Sequence, residues 1–239
     1  MLVTTKAIVI SAIKYGDTNL IVKAFTEVDG IKSYMLRGVL TSKKGKVKVA
    51  YFQPLTQLEI VVNHRNKGTL ESIREAKVNY HYKTLHTHIV KNSMTFFLAE
   101  MLSNSILEEE SNPELYRFLE ASFQWLDTHD DISNFHLFFL LSLTKYMGFY
   151  PEIPKVEMPY FDLLEGEFVL RESLSPMITG ENLYYFKTFL GINFDTIHTI
   201  KMNKVNRQKL LKSLILYFEL HLQGFRNPRS LTVLNEVFS

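Results

Sequence analysis

The residues best suited to chemistry in this sequence form a cationic run between two apolar segments. Five basic residues and no acidic one lie in it, namely Arg37, Lys43, Lys44, Lys46 and Lys48. Each Lys or Arg that neutralises a phosphate releases a condensed counterion, so such a run suits a polyphosphate backbone. The same run also fits a solubilising loop, because charged stretches are commonly solvated.

Two further groups of cations lie outside that run. Arg65 and Lys67 belong to a turn-like stretch, His-Arg-Asn-Lys-Gly at 64–68. A later basic run comprises Lys201, Lys204, Arg207, Lys209 and Lys212. This later run fits a solvated helix start, and it also fits a surface that receives the acidic tail of a partner or an extra length of DNA.

No group of residues in the sequence predicts catalysis. His81, His86 and His88 lie close together, but without an accompanying carboxylate they do not by themselves predict a metal site. The acidic residues at 108–110 and at 127, 130 and 131 are expected at solvated helix ends, and a carboxylate cluster of this kind is in principle also able to hold magnesium. No nucleophile is paired with a base, and no phosphate-binding Gly-rich loop or nuclease-like acidic trio occurs. We therefore expect a protein that is not an enzyme and needs no cofactor or metal.

The first 80 residues show the short apolar runs of a β domain. The patterns predict strands at 7–10 with Ile13, and at 20–25, 31–36, 55–62 and 69–78, with a further strand pattern from Val49 on. Asp29-Gly30 predicts a hairpin turn. Five short strands without a crossover helix indicate a small Greek-key barrel of the oligonucleotide-binding (OB) type.

Barrels of this type bind single strands through a cationic groove and stacking aromatic rings. The aromatic residues near the expected loops are Tyr15, Tyr34, Tyr51 and Phe52. Each of them fits either a stacking platform or a filler of the barrel core.

After Tyr82 the apolar period becomes that of helices. Helices are predicted from 84 to 107, from Pro113 after an Asn112 cap, from 133 to 147 before Gly148, from 181 to 190, and from 204 to 223 after an Asn203 cap. The first helix should turn Leu85, Ile89, Phe96, Phe97, Met101 and Leu102 inward. A small hairpin is predicted around Glu165-Gly166, and 229–237 adds a final turn or two.

Composition and charge add to the prediction of the fold class and the cellular compartment. The 239 residues include no cysteine, which suits a reducing cytoplasm, and neither a signal peptide nor the roughly 20 apolar residues of a membrane span is apparent. Residues 1–80 hold 13 Lys+Arg against 6 Asp+Glu, or +7, whereas 81–239 hold 14 against 19, or −5. We predict a cytoplasmic α+β protein of two domains, an OB-fold domain at 1–80 and an α-helical domain at 81–239.

Several short motifs of the sequence occur together in one known protein family. Residues 7–10 with Lys-Tyr-Gly-Asp-Thr-Asn-Leu-Ile-Val at 14–22, Phe-Thr-Glu at 25–27, Arg37-Gly38 and Gln-Pro-Leu at 53–55 look like the start of the bacterial recombination mediator family RecO. Gly-Phe-Tyr-Pro at 148–151 is similar to its Gly-Tyr-x-Pro corner, and Arg-Ser-Leu at 229–231 to its closing segment. The resemblance spans most of the chain, and its N-terminal part is specific.

The resemblance implies an OB-fold domain followed by a helical domain. It further implies a non-catalytic mediator of gap repair in the nucleoid, which binds single- and double-stranded DNA and anneals complementary strands. The implied partners are RecR and the acidic C-terminal tail of single-stranded-DNA-binding protein, while RecA is loaded. An alternative is a scaffold whose helical domain binds proteins and whose barrel contacts DNA weakly.

The sequence departs from the family pattern in two places. Many members follow the corner with a four-cysteine zinc site, but residues 152–158 hold no cysteine, so we expect a small hairpin insertion near 156–172 in place of zinc. The family loop often continues with arginines, whereas Val-Leu-Thr follows Gly38 here. The contacts with DNA are therefore expected to be made mainly by Lys43, Lys44, Lys46 and Lys48.

Overall fold

The computed structural model describes residues 2–42, 47–63, 70–107 and 110–238. The chain forms two compact units, Met1–Thr128 and His129–Ser239. The first unit therefore contains the strands and the first two helices. The sequence-based division between residues 80 and 81, which follows the change from strands to helices, stays a prediction.

A five-stranded antiparallel sheet forms the framework of the first unit. Its strands are β1 (Leu2–Tyr15), β2 (Asn19–Thr26), β3 (Gly30–Leu36), β4 (Gln57–Asn63) and β5 (Ser72–Val78). They are arranged in the order β3-β2-β1-β4-β5, and β1 carries a register shift between Val9 and Ser11. A bulge of this kind bends the strand and lets the sheet curve.

The two edges of the sheet meet at Glu71. Its carbonyl accepts a hydrogen bond from Met35 N at 2.8 Å, and its own N–H donates to Ser33 O at 2.9 Å. Contact of β3 with Glu71, the residue directly before β5, makes the sheet OB-like but leaves it partly open, so it is not a closed barrel. The predicted fold class, an α+β chain with an OB-type first part and a helical part after it, is confirmed.

Side chains alternate between the two faces of each strand, and those on the inner face form the buried core of the sheet. Val9, Val22 and Tyr34 belong to one buried cluster with Leu58 and Val62. At the β2–β3 turn, Gly30 adopts φ 60°, and a Cβ there would overlap the backbone of Glu110. The Asp29-Gly30 turn predicted from sequence is therefore confirmed, and glycine is required there by both its dihedral and its surroundings.

The segment between β3 and β4 differs from the prediction. Val49–Phe52 forms a 3₁₀ helix instead of a strand, and β4 begins at Gln57, after a turn at Pro54 and Leu55. Phe52 is buried, so one apolar side chain anchors the short helix to the core. The sequence pattern was wrong here because a brief apolar run fits a strand or a helical turn equally well.

Two helices complete the first unit, α1 (Ile89–Ser105) and α2 (Pro113–Thr128). The predicted Asn112 cap is confirmed, since Asn112 Oδ1 accepts a hydrogen bond from Leu115 N at 3.0 Å. The start of α1 is later than predicted. The inward direction predicted for two α1 residues is wrong, because Ile89 is 73% exposed and Phe96 is 49% exposed.

The second unit is mainly helical. Its helices are α3 (Phe135–Met147), α4 (Gly180–Thr188), α5 (Lys204–His221) and α6 (Leu231–Val237). A small sheet is formed by β6 (Tyr160–Asp162), β7 (Glu167–Val169) and β8 (Met177–Ile178). Gly148 ends α3 in the left-handed conformation, and Asn203 caps α5 by accepting from Asn206 N at 2.9 Å. Both termini were predicted correctly.

Aromatic packing joins the corner after α3 to the small sheet. The Tyr217 hydroxyl donates to Phe149 O at 2.5 Å, and the Phe161 ring lies 5.6 Å from the Tyr217 ring. His221 Nε2 lies 2.9 Å from Leu163 O. The predicted hairpin is present, while its role in place of a zinc site stays a prediction.

Within the described ranges, no helix is both long enough and apolar enough to span a membrane.

Candidate nucleic-acid interface

Two anchored ends flank the cationic run between β3 and β4. At the first end, Gly38 N donates to Asn19 Oδ1 at 2.9 Å, and Leu40 N donates to Thr18 O at 3.0 Å. Gly38 adopts φ 65°, and Val39 beside it is buried. The chain therefore leaves β3 through a tight turn that leaves Arg37 exposed.

At the second end, a cation lies beside an aromatic ring. Exposed Lys48 places its Nζ 5.8 Å from the centroid of the Tyr51 ring, within the range of a cation–π contact. Tyr51 is half-buried, and the neighbouring Phe52 is buried. This pair offers a positive charge and a ring face at one place, the combination that single-strand binding proteins use.

Several predicted DNA contacts fall outside the described residues. These are Lys43, Lys44, Lys46, Arg65 and Lys67. Of the predicted contacts in the first unit, the structure therefore places Arg37 and Lys48, both of them exposed. The role of the whole set in DNA binding stays a prediction.

The four aromatic residues singled out from sequence divide into two kinds. Tyr34 and Phe52 belong to the buried cluster of the sheet, so they are core residues. Tyr15 is 55% exposed and Tyr51 is half-buried. Of the four, Tyr15 and Tyr51 are thus the residues able to offer a ring face to a base.

An apolar row on the outer face of the sheet was missed by sequence reasoning. Ile13 pairs with Ile21, which pairs with Met35, and Tyr15 follows on the same face. Ile13 is 64% exposed, and Ile21 and Met35 are half-buried. The signal available in the sequence was the alternation continuing through Ile13 to Tyr15, beyond the apolar run at 7–10.

Three other cations of the first unit, Lys6, Lys23 and Lys77, are engaged within the unit. Lys6 pairs with Glu120 at 3.0 Å, and Lys77 pairs with Glu59 at 2.6 Å. Lys23 Nζ donates to Ser103 O at 3.0 Å, and burial lowers the pKa of Lys23. These contacts compensate part of the positive charge of the unit at places away from the cation beside Tyr51.

The late basic run does not form one surface. Lys204, Lys209 and Lys212 are exposed on α5, but Arg207 is half-buried. Its Nε donates to Asn134 Oδ1 at 3.1 Å, and its Nη2 donates to Met202 O at 2.9 Å. Burial lowers the pKa of Arg207, against the opposing charge of Asp131. Arg207 therefore holds the start of α5 in place.

An open cleft of about 440 Å³ lies beside Arg207 in the second unit. Its lining includes the basic side chains of His198, Lys201 and Arg207, together with Tyr185 and one carboxylate, Asp131. Pockets of a few hundred Å³ accommodate small ligands or a short peptide end. The cationic lining favours an anionic occupant.

The histidines and carboxylates considered from sequence have structural contacts. His86 Nε2 lies 3.0 Å from Pro54 O and donates to this carbonyl. Asp127 is buried, so the expectation that it is solvated was wrong. Across 2–42, 47–63, 70–107 and 110–238, no three His, Asp or Glu side chains are grouped as a metal site requires.

Comparison with known proteins identifies the family. The family model described as Recombination protein O N terminal matches residues 1–82, and that described as Recombination protein O C terminal matches residues 86–231. Proteins named DNA repair protein RecO are similar over 100% of both chains. They include those of Christiangramia forsetii at 56% identity, Flavobacterium psychrophilum at 48% and Phocaeicola vulgatus at 36%. This chain belongs to the RecO family.

Proposed function

We propose that this chain is a non-catalytic DNA-binding mediator of recombination in gap repair. It binds single- and double-stranded DNA, anneals complementary strands, and helps to load RecA together with RecR. Positive charge reduces the repulsion between two phosphate backbones, so two strands can be held side by side while partners exchange. No bond is made or broken in this role, which needs neither a nucleophile nor a cofactor.

One observation carries the proposal: exposed Lys48 lies over the Tyr51 ring at the end of a cationic connection on an OB-like sheet. The neighbouring outer face offers the Tyr15 ring and the apolar row of Ile13, Ile21 and Met35. Bases stack on aromatic rings and apolar side chains, while phosphates are held by cations. The names of the relatives, DNA repair proteins, support the same function.

The salt dependence of DNA binding tests this function. If Arg37, Lys43, Lys44, Lys46 and Lys48 all contact phosphates, the log–log slope for single strands should approach about −3.5, at roughly 0.7 per contact. Replacing the four lysines with alanine should make the slope shallower by about 2.8 units and weaken annealing. Fluorescence titrations at several salt concentrations measure the slope.

Lys77→Ala provides the matched control. Lys77 is a lysine of the same unit, but it is paired with Glu59, so its removal should leave the slope nearly unchanged. An unchanged slope and unchanged annealing in the four-lysine variant would exclude this connection as the DNA contact. Shortening of DNA during incubation with magnesium would instead indicate a nuclease.

A second candidate function is that of a protein-binding scaffold, supported by the cationic cleft of the second unit. The acidic C-terminal tail of single-stranded-DNA-binding protein has the charge that Lys201 and Arg207 would attract. In this alternative the sheet contacts DNA only weakly.

A labelled tail peptide titrated into the full chain tests the alternative. Lys201→Glu should weaken peptide binding about tenfold or more, because a like charge replaces an attractive one at the cleft. Lys212→Glu makes the same charge change on α5, outside the cleft lining, and should have a smaller effect. Equal effects of the two substitutions would indicate general electrostatic attraction instead of a site in the cleft.

A further inference from the structure

Leu55 has an unusual backbone conformation. Within the described parts of the chain, it is the one non-glycine residue with positive φ, at 62°. Thr56 N donates to Gln53 O at 3.1 Å, which closes a turn with Pro54 and Leu55 at its centre. Proline second and a positive φ third define a type II turn, whose third position normally holds glycine. A leucine is strained there and persists only where its surroundings hold it.

Contacts with β1 hold the turn from one side. Leu55 N donates to Val9 O at 2.7 Å, and Val9 N donates to Thr56 O at 3.0 Å. The Leu55 side chain is fully buried. These bonds join the turn to β1 where its register shifts, so the bulge and the turn stabilise one another.

Two aromatic side chains from the segment after β5 hold the turn from the other side. The Tyr82 hydroxyl donates to Leu55 O at 3.0 Å, and His86 Nε2 donates to Pro54 O at 3.0 Å. The two rings meet edge to face with their centroids 5.4 Å apart. Burial raises the pKa of Tyr82 well above its ordinary value, so the hydroxyl keeps its hydrogen throughout the physiological range.

The turn lies directly after the 3₁₀ helix that carries the exposed cation and ring. Gln53 and Pro54 follow Phe52 without an intervening residue, and Lys48 and Tyr51 lie within that helical turn or at its start. A change in the dihedral angles of Leu55 would therefore redirect the chain at the base of this helix. The position of Lys48 and Tyr51 depends on the turn that Tyr82 and His86 hold.

We propose that Tyr82 and His86 are positioning residues for DNA binding, which act by holding the Pro54-Leu55 turn and through it the Lys48–Tyr51 pair. The proposal rests on the DNA-binding function proposed above. Neither side chain needs to touch DNA. The effect is preorganisation, since a contact held in place before binding does not have to be ordered by the DNA.

A double-mutant cycle with the full chain tests this role. Tyr82→Phe deletes the hydroxyl that Leu55 O accepts and keeps the ring. Because one hydrogen bond contributes modestly, Tyr82→Phe should weaken binding to a labelled single-stranded oligonucleotide about three- to tenfold. In a background with Lys48→Ala and Tyr51→Ala, the same substitution should change affinity less than about 1.5-fold, because the groups that it positions are gone.

Two matched variants separate positioning from general loss of stability. Tyr80→Phe removes a hydroxyl from the ring 5.3 Å from Tyr82 and should leave DNA affinity unchanged. His86→Ala should reproduce the effect of Tyr82→Phe, including its loss in the double-alanine background, and it provides an independent variant should Tyr82→Phe fold poorly. Urea unfolding of each variant shows that the titrated protein is folded.

The outcomes distinguish this proposal from the proposed function. If the double-alanine variant binds more weakly but Tyr82→Phe and His86→Ala bind normally, the positioning role is wrong while DNA binding stands. If Tyr82→Phe weakens binding equally in both backgrounds, its effect does not pass through Lys48 and Tyr51, and the proposal is overturned. If the intact chain does not bind the oligonucleotide at all, the proposed function itself is wrong.

Discussion

Asp127 is a buried carboxylate whose hydrogen bonds organise the segment between β5 and α1. Its oxygens accept from the amides of Lys83, Thr84 and Leu85 at 3.0, 2.7 and 2.8 Å. Buried Lys91 donates to the Asp127 carbonyl oxygen at 2.8 Å. These three consecutive amides precede α1, so a single carboxylate fixes the path of the chain into the helix. The helix therefore begins only after this segment, at Ile89.

Loss of this carboxylate should destabilise the first unit. Asp127→Ala leaves three backbone amides without their acceptor and should lower the free energy of unfolding by about 2–4 kcal/mol. Asp130→Ala removes an exposed carboxylate three residues away and should change the free energy by less than about 0.5 kcal/mol. Urea unfolding of the two variants measures the difference, and equal effects would contradict this role.

The same carboxylate should make stability depend on pH. Burial raises the pKa of Asp127, but the hydrogen bonds from Lys83, Thr84 and Leu85 outweigh it and hold the pKa below its ordinary value. A group whose pKa is lower in the folded state stabilises the fold above its unfolded pKa, about 3.9 for aspartate. That stabilisation is lost as the pH falls through the folded pKa. The stability difference between the intact chain and Asp127→Asn should therefore shrink toward acidic pH.

Among the elements of the second unit, the small sheet, α5 and the corner after α3 depend on one tyrosine. Tyr217 donates to Phe149 O, and its hydroxyl lies where a side chain on Gly166 would extend, 2.8 Å from an added Cβ. Gly166 adopts φ 73° between β6 and β7. The hairpin turn thus needs glycine both for its dihedral angle and for the space that the hydroxyl occupies.

Two glycine substitutions separate these requirements. Gly166→Ala should lower the free energy of unfolding by about 2 kcal/mol or more, since backbone strain and a steric clash act together. Gly191→Ala introduces a similar strain at φ 75° but meets no atom within 4 Å, so about 1 kcal/mol is expected. Thermal or urea unfolding compares them, and a smaller loss for Gly166→Ala would contradict the role of Tyr217.

Elements with local end signals were predictable from sequence, and those set by distant contacts were not. Asn112, Asn203 and Gly148 mark their helix ends through chemistry contained within a few residues. The path of residues 83–85 into α1 depends on Asp127, which lies 42 to 44 residues further along the chain. The same distinction applies to the candidate interface, where composition indicated cations but only folding separates exposed Tyr15 from buried Tyr34.

At the scale of the whole molecule, the excess positive charge and the absence of cysteine were readable from sequence alone. Residues 1–80 carry 13 basic against 6 acidic side chains. The sequence did not reveal that Lys6, Lys23 and Lys77 are engaged within the first unit, because their partners come from other elements. Counting charges therefore overstates the uncompensated positive charge of the first unit.

The corner after α3 should be independent of metal. Phe149 is held by the Tyr217 hydroxyl and contacts the rings of Phe218 and His221, and the chain has no cysteine. Treatment with EDTA, or addition of zinc at equimolar concentration, should leave the midpoint of thermal unfolding unchanged. The same protein measured without either addition serves as the control. A lowered midpoint for the present chain would contradict this prediction.

The contact between Gly30 and the backbone of Glu110 limits how this protein can be rebuilt. Exchanging the β2–β3 hairpin for that of another OB-fold protein would fail wherever the incoming turn brings a side chain to this position, however well its strands match. A functional chimera must therefore take both the hairpin and the segment that leads into α2 from the same protein.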